Sequence, residues 1–538
     1  MQPSRLYIVV AFSLSFLAAT AQVSKFQPCP LLGPYQPPPM IDASSEERKA
    51  LAKSFNKTLE DYIAKADGVY GPISTNTTSF SLALFAGDND KPDSDEPTSY
   101  FSEYHHTASS LGQEQSSKSV FAIGDLMQIF TTVALLSSEG NAVWSRSITE
   151  YLAELETAGS EDLISQVMWK DVTLGSLASH LAGIVRSSNV CKTNEPCARE
   201  SLVEHLTSLP PIQLPDTTPI YSFAAFELVA QAMEAQYNTS FADLLTERIF
   251  NPLKPEYTSL LSPNSSLFGD GLANTSLNGE PASLGLASNI EDLSAFGHVL
   301  LTDELMSASE TRRWLKPVTD TSNLRNAVGR PWEIYHYGEE ATDPIIDVYT
   351  KSGTVGRYSS YFGLVPDYKV GFTNLAVETG DSAPDLNAYA DIVLDALRSL
   401  HGHAPTSVSS KLRLEITGSG SDPGIAVTAL SANGTDWLAK IQKMAGIAKE
   451  EYLDLRLYPT NLQQTNGDGG MTQVFQAVIQ DKSASADAGT PTCISWQTIG
   501  VLEIDSQPLD RLVLEFGGDG LVVGIEWPAV GAVYKRVQ

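Results

Sequence analysis

The sequence predicts an α+β fold followed by a smaller all-β domain, and three observations carry that expectation. A strand-like alternation at 79–86 precedes a block, 120–320, in which apolar residues recur at three- and four-residue steps. Strands return at 345–377, and a long amphipathic helix closes the block. Past a linker, short alternating runs separated by turn residues continue to the end of the chain. The 538 residues are 42% hydrophobic and 9% aromatic, enough for a large core and against wholesale disorder.

Residues 1–21 read as a secretory signal peptide. Arg5 supplies the charge, 6–18 is almost purely apolar, and Ala19-Thr20-Ala21 offers small residues for cleavage. No later stretch reaches the roughly eighteen apolar residues of a membrane span, so none is expected in the mature chain. Residues 22–78 form a leader: a Pro-rich run from Pro28 to Pro39, then an amphipathic helix from Glu46 to Ile63. The main domain, 79–401, has the strand at 79–86 and an acidic turn segment at 87–97. Helices are expected at 125–138, 160–167, 174–181, 224–236, 241–249 and 290–301. Strands follow at 345–349, 359–364 and 370–377, and a helix at 385–400 has Ala388, Ile392, Leu394 and Leu397 inward. A linker at 401–407 leads to a β-sandwich or barrel, 408–538. Its strands are expected at 411–417, 425–429, 452–459, 471–479, 497–504, 511–516 and 521–526.

Acidic residues number 64 against 35 basic ones, a net charge of −29. That balance excludes nucleic acid and disfavours anionic membrane surfaces, both of which need clustered Lys and Arg. Secretion makes the sequons at Asn56, Asn76, Asn238, Asn264, Asn274 and Asn433 candidate glycan sites. The cysteines Cys29, Cys191, Cys197 and Cys493 allow three pairings; the short loop favours Cys191 with Cys197, leaving Cys29 with Cys493. There is no C-x-x-C, and His105-His106 and His401-x-His403 lie in polar loops without a third ligand, so no metal or other cofactor is expected.

Four segments carry chemistry. Phe121-Ala122-Ile123-Gly124-Asp125-Leu126-Met127-Gln128 enters a helix, and Thr173 to Ile184 surrounds His180 and Gly183. Tyr221-Ser222-Phe223 opens another helix, and Lys351-Ser352-Gly353 lies on a strand. In this order and spacing they resemble the serine β-lactamase and penicillin-binding-protein family, nearest its class C and esterase-like branch, over about residues 80–400. Asp125 and Gln128 fall on the S-x-x-K motif, Tyr221 and Phe223 on Y-x-N, and Lys351, Ser352 and Gly353 on K-[ST]-G. The resemblance implies a pocket in which a Ser attacks an acyl carbon and Lys and Tyr move its proton. The K-[ST]-G lysine would bind a substrate carboxylate, and backbone N–H groups on the strand would complete an oxyanion hole.

The chain departs from this pattern where the chemistry is decided. An aspartate stands at the nucleophile's position, and Gln128 cannot act as a base. Phe223 replaces the Asn amide. Only Tyr221, Lys351, Ser352 and Gly353 remain, so the expected function is a pocket scaffold without conventional serine hydrolysis. One alternative has Asp125, Tyr221 and Lys351 performing acid–base chemistry in a fungal-type secondary-metabolite pathway. Another is residual esterase or lactamase activity. The ligand is expected to be a small molecule: an ester, an amide or a polyketide-like metabolite.

For single residues, plainer roles stand beside these. Asp125 is expected to cap its helix by bonding the N–H of Met127 or Gln128, or to pair with Lys351. His180 reads as a core histidine. For Ser222 and Ser352 a relocated nucleophile is the lesser reading, because the sequence places no base beside either.

Overall fold

The computed structural model describes residues 29, 31–33, 46–87, 100–110, 114–158, 162–262, 279–338, 345–380 and 383–402. Toward the C-terminus it describes 427–432, 436–441, 453–467, 469–481, 495–501, 503–518 and 522–535. The chain divides into two compact units. One comprises Leu32–Ser410 and Ala432–Thr435; the other comprises Met1–Leu31, Lys411–Ser431 and Asp436–Gln538.

The first unit is built on an eight-stranded sheet. Its strands are β1 Thr78–Ala86, β2 Tyr100–His106, β3 Thr319–Asp320, β4 Asn326–Val328, β5 Glu333–Tyr337, β6 Ile346–Val355, β7 Tyr358–Val365 and β8 Val370–Glu378. They lie in the order β2-β1-β8-β7-β6-β5-β4-β3. All of β1 is buried, because both faces of the sheet are covered. Ala83 and Phe85 join the helical-side core, which holds the helices α2 Met127–Glu139, α3 Phe223–Tyr237 and α4 Ile290–Leu301. Phe80, Leu82 and Leu84 join a second core with Leu51, Phe55 and Leu59 of α1 Glu46–Lys65 and Tyr389, Ile392 and Val393 of the helix Asn387–Gly402. The leader helix therefore packs in the same unit as the main domain.

Several expected elements have different forms. Residues 162–167 are turns rather than helix: the Asp162 carboxylate accepts the N–H groups of Ile164 (3.1 Å) and Ser165 (3.3 Å), a local alternative to helical bonding. The helix expected at 174–181 stops at Ala178, and His180 follows in the left-handed region at φ 58°. The helix begun at Phe241 passes into a π-helical turn at Thr246–Phe250. The edge strands Tyr100–His106 and Thr319–Asp320, and Asn326–Val328 beside the latter, were not foreseen, being short or poor in alternation.

In the second unit a seven-stranded sheet runs in chain order through Val427–Ala432, Asp436–Ile441, Leu453–Thr465, Met471–Asp481, Arg511–Phe516, Val522–Trp527 and Ala532–Lys535. The strand expected at 497–504 is instead a short helix, Ser495–Thr498, followed by a two-residue strand, Glu503–Ile504. The strand expected at 411–417 lies outside the described residues.

Cys191 and Cys197 are bridged. Cys29 is also in a disulfide, and its expected partner Cys493 lies outside the described residues. Asn76 and Asn238 are exposed and Asn56 is half-buried; Asn264, Asn274 and Asn433 lie outside the described residues, as do residues 1–28. Among the described residues no helix is long and apolar enough to cross a membrane. His105 bonds Ser81 and Glu103, and His106 bonds the Thr75 carbonyl; His403 lies outside the described residues.

Candidate active site

The site forms where the turn before α2 presses on β6. A 3-10 turn, Gly124–Leu126, links the two-residue strand Phe121–Ala122 to α2. Two glycines permit the close approach. Gly124 has φ 53°, and a Cβ there would lie 2.6 Å from the Thr354 nitrogen. A Cβ on Gly353 would overlap the Ile123 carbonyl oxygen and lie 2.5 Å from the Ser360 hydroxyl. The turn therefore lies backbone to backbone on the strand, and the Asp125 side chain emerges beside the strand's free N–H.

Asp125 is 5% exposed. One carboxylate oxygen accepts the Tyr221 hydroxyl at 2.6 Å and the other accepts the Thr354 N–H at 2.8 Å. The expected N-cap is not made: α2 starts from Leu126 without a side-chain cap. The tertiary donors of Tyr221 and β6 take the carboxylate instead. Burial pushes the Asp125 carboxyl above its usual range, against the opposing pull of Lys351, Tyr221 and Thr354.

On β6, Val348 faces the outer core and Tyr349 the helical side, so Lys351 also enters the helical side. Its exposure is 0%. The ammonium donates to Tyr221 Oη (2.8 Å), Glu333 Oε1 (2.6 Å) and the Ser352 carbonyl (3.0 Å). Three donors are spent on three acceptors. The ion pair of Lys351 is therefore with Glu333, not the expected one with Asp125; Tyr221 stands between Lys351 and Asp125.

Glu333 was not singled out in the sequence. It sits on β5 opposite Thr350, and its second oxygen accepts the Ser352 N–H (3.0 Å) and hydroxyl (2.8 Å). A buried lysine requires a counter-ion, which was the available signal. Which acid supplies it depends on strand register, which the sequence does not display.

The Tyr221 ring stacks on His180, with centroids 4.2 Å apart. Burial and the charges of Asp125 and Glu333 push its phenol well above its usual range. His180 is buried, accepts the Ser222 N–H at Nδ1 (3.2 Å), and is held well below its usual range by burial, with Lys351 and Arg186 adding to the effect. Gln128 is fully buried; its amide donates to the Ser283 hydroxyl at 2.7 Å. Ser222 caps α3, accepting the Ala225 N–H and donating to the Val185 carbonyl. Phe223 is half-buried and meets Tyr221 edge to face, at 89°.

The result is a continuous chain of donors, Lys351 to Tyr221 to Asp125, with Thr354 donating from the other side. It can hold or move a proton at the tyrosine oxygen. Neither Ser222 nor Gln128 has a free functional group, and the Ser352 hydroxyl donates to a carboxylate already paired with Lys351.

This architecture is that of the serine β-lactamase scaffold, a helical block over an antiparallel sheet, with a second β unit following. The family model described as Beta-lactamase matches residues 103–395, more than half of the chain, and the chain belongs to that family. The model described as "Beta-lactamase-like-like, C-terminal domain" matches 403–538. A "Beta-lactamase-like protein" of Arthroderma benhamiae is 26% identical, over 95% of this chain and 96% of its own. A "Beta-lactamase" of Yersinia enterocolitica is 23% identical over 53% of this chain and 81% of its own. "Beta-lactamase-like protein str6" of Strobilurus tenacellus is 26% identical over 30% of this chain and 56% of its own. Among solved structures, a β-lactamase/D-alanine carboxypeptidase from Yersinia pestis, complexed with citrate, aligns with TM-score 0.48 and 16% identity. It covers 65% of this chain and 99% of that one.

Proposed function

We propose that this β-lactamase family member is a secreted small-molecule-binding protein that does not carry out serine acyl transfer. One observation carries the reading. The Asp125 carboxylate sits at the nucleophile's position and itself occupies the strand N–H of Thr354, the donor an acyl oxygen would need. A carboxylate attacking an acyl carbon would give an anhydride, not a serine ester, and Gln128 supplies no base. Secretion is supported by the apolar run at 6–18, the Cys191–Cys197 bridge and the exposed sequons at Asn76 and Asn238.

The test is covalent labelling of the full chain by a fluorophosphonate and by a fluorescent penicillin, read by mass spectrometry. The wild type is expected to stay unlabelled, and Asp125→Ser with Gln128→Lys is expected to gain an adduct at position 125. A serine adduct on the wild type would overturn the reading. Recovery of the chain from a secreting host with a Gln22 N-terminus and a mass lowered by glycosidase checks the localisation; intracellular retention without glycan refutes it.

The Lys351–Tyr221–Asp125 relay favours a second reading, acid–base catalysis on a natural product. In that case Asp125→Asn abolishes turnover of a candidate metabolite while its binding persists.

A further inference from the structure

We propose that a cavity between α2, α4 and the π-helical turn is a second binding site, and that it takes a small organic ammonium with a compact apolar body. None of Asp125, Tyr221 and Lys351 lines it, so it stands apart from the site described above.

The cavity exists because a helix stops abruptly beside α4. Past the π-helical turn Thr246–Phe250, Pro252 and Pro255 flank Lys254, which takes φ 50° and donates its N–H to the Phe250 carbonyl at 2.7 Å. The chain turns there. Asp292 of α4 holds the return by accepting the N–H groups of Glu256 (3.2 Å) and Tyr257 (2.8 Å) and the Thr258 hydroxyl (2.8 Å). A cavity of about 210 Å³ remains between turn and helix. Buried Phe130, Ile249 and Phe296 close it below, and half-buried Phe250, Leu253 and Ala295 wall it. Exposed Lys254 and Glu256 mark its rim. On α2, Phe130 is two residues from Gln128, about 200° around the helix, so the two serve different faces.

Glu291 supplies the polar wall. It stands one turn before Ala295 on the same face of α4, and the alanine methyl leaves the neighbouring space open. One carboxylate oxygen is buried and has no hydrogen-bond partner, and Glu291 forms no ion pair among the described residues. Burial pushes its carboxyl above the usual range, with the charges of Asp292, Glu256 and Glu103 adding to this and exposed Lys118 opposing. A buried acceptor left unbonded favours any donor that reaches it, and a charged donor most. The start of α4 carries about half a positive charge, against two full negative charges on Glu291 and Asp292, so the local field favours a cation. Asp292 is already spent on the loop, and among the described residues no three acid, His or Cys side chains converge as a metal site. One unpaired carboxylate over an apolar floor suits an ammonium with a hydrocarbon body. The volume sets the size: a cavity of about 150 Å³ takes a benzene ring, so this one holds a ring and a short chain.

The experiment titrates phenethylammonium and 2-phenylethanol, alike in ring and chain, onto the full-length protein by saturation-transfer NMR at about pH 7, where an aliphatic amine is charged. The wild type is expected to bind the ammonium about ten-fold or more tightly than the alcohol. Glu291→Gln is expected to remove that preference and leave the alcohol's affinity unchanged; because its carboxylate forms no ion pair, the melting temperature should stay that of the wild type. Ala295→Phe fills the cavity and is expected to abolish binding of both probes. If that variant proves unstable, Glu291→Gln decides alone. Equal affinities in the wild type, a preference that survives Glu291→Gln, binding that survives in folded Ala295→Phe, or no saturable binding up to roughly 10 mM each overturns the proposal. The net charge of −29 draws any cation weakly to the surface, and that attraction would persist in both variants.

Discussion

Replacing Glu333 by Gln removes the charge facing a lysine that has no solvent to turn to. The Lys351 side chain has 0% exposure and the Glu333 side chain 37%. Breaking a buried pair by deleting one partner costs about 3–5 kcal/mol, because the other charge stays buried. Here water reaches the glutamate, so part of that cost is screened, and the expected loss is about 2–3 kcal/mol. Gln is isosteric, but its single carbonyl oxygen cannot serve Lys351 Nζ, the Ser352 N–H and the Ser352 hydroxyl together. For a unit of this size, with an unfolding entropy of roughly 2 cal/mol/K per residue, the loss lowers the melting temperature by about 3–4 °C. Scanning calorimetry follows the unit's transition in the wild type, Glu333→Gln, Lys351→Met and the double variant. Removing both charges should destabilise less than the sum of the single changes, with a coupling of about 1 kcal/mol or more. Additive losses, or a single-variant loss below about 0.5 kcal/mol, would refute the claim that buried Lys351 depends on Glu333 as its counter-ion.

Glu227 gives a prediction with a definite sign. Burial pushes its carboxyl from 4.5 up to about 7, with the Glu280 charge adding and bonds from Ala282 and Gln231 opposing. The folded state thus keeps a proton that the unfolded chain has lost. The stability so contributed is complete below about pH 4.5 and disappears as pH rises through about 7. Glu227→Gln has no such loss and should exceed the wild type by roughly 3 kcal/mol at pH 8, converging with it in acid; urea unfolding across pH measures this, and parallel curves would contradict it. Gly353→Ala places a Cβ against the Ile123 carbonyl and the Ser360 hydroxyl and should cost about 1–3 kcal/mol. An unchanged melting temperature would mean that turn and strand do not lie this close.

Local signals were legible where they acted locally. The helix at 290–301 was read to the residue, because Asn289 caps it by accepting the Asp292 N–H and its apolar period is regular. Strands at 359–364 and 370–377 differ by a residue or so from β7 and β8. Reading failed where a side chain had a choice of partner. Asp162 bonded its own backbone and ended a helix before it began. Asp125 was assigned to the nearest helix N-terminus, yet it bonds residues 96 and 229 positions away.

The order of residue types along the chain was sufficient to place Asp125, Gln128, Tyr221 and Lys351 on one scaffold, since a motif is a property of sequence spacing. Which groups they bond was decided only by folding. Strand register put Glu333 opposite Thr350, within reach of the Lys351 ammonium, and two glycines let a turn touch a strand. Hydrogen bonds form over about 3 Å, and no spacing along a chain specifies which distant atoms arrive within that reach.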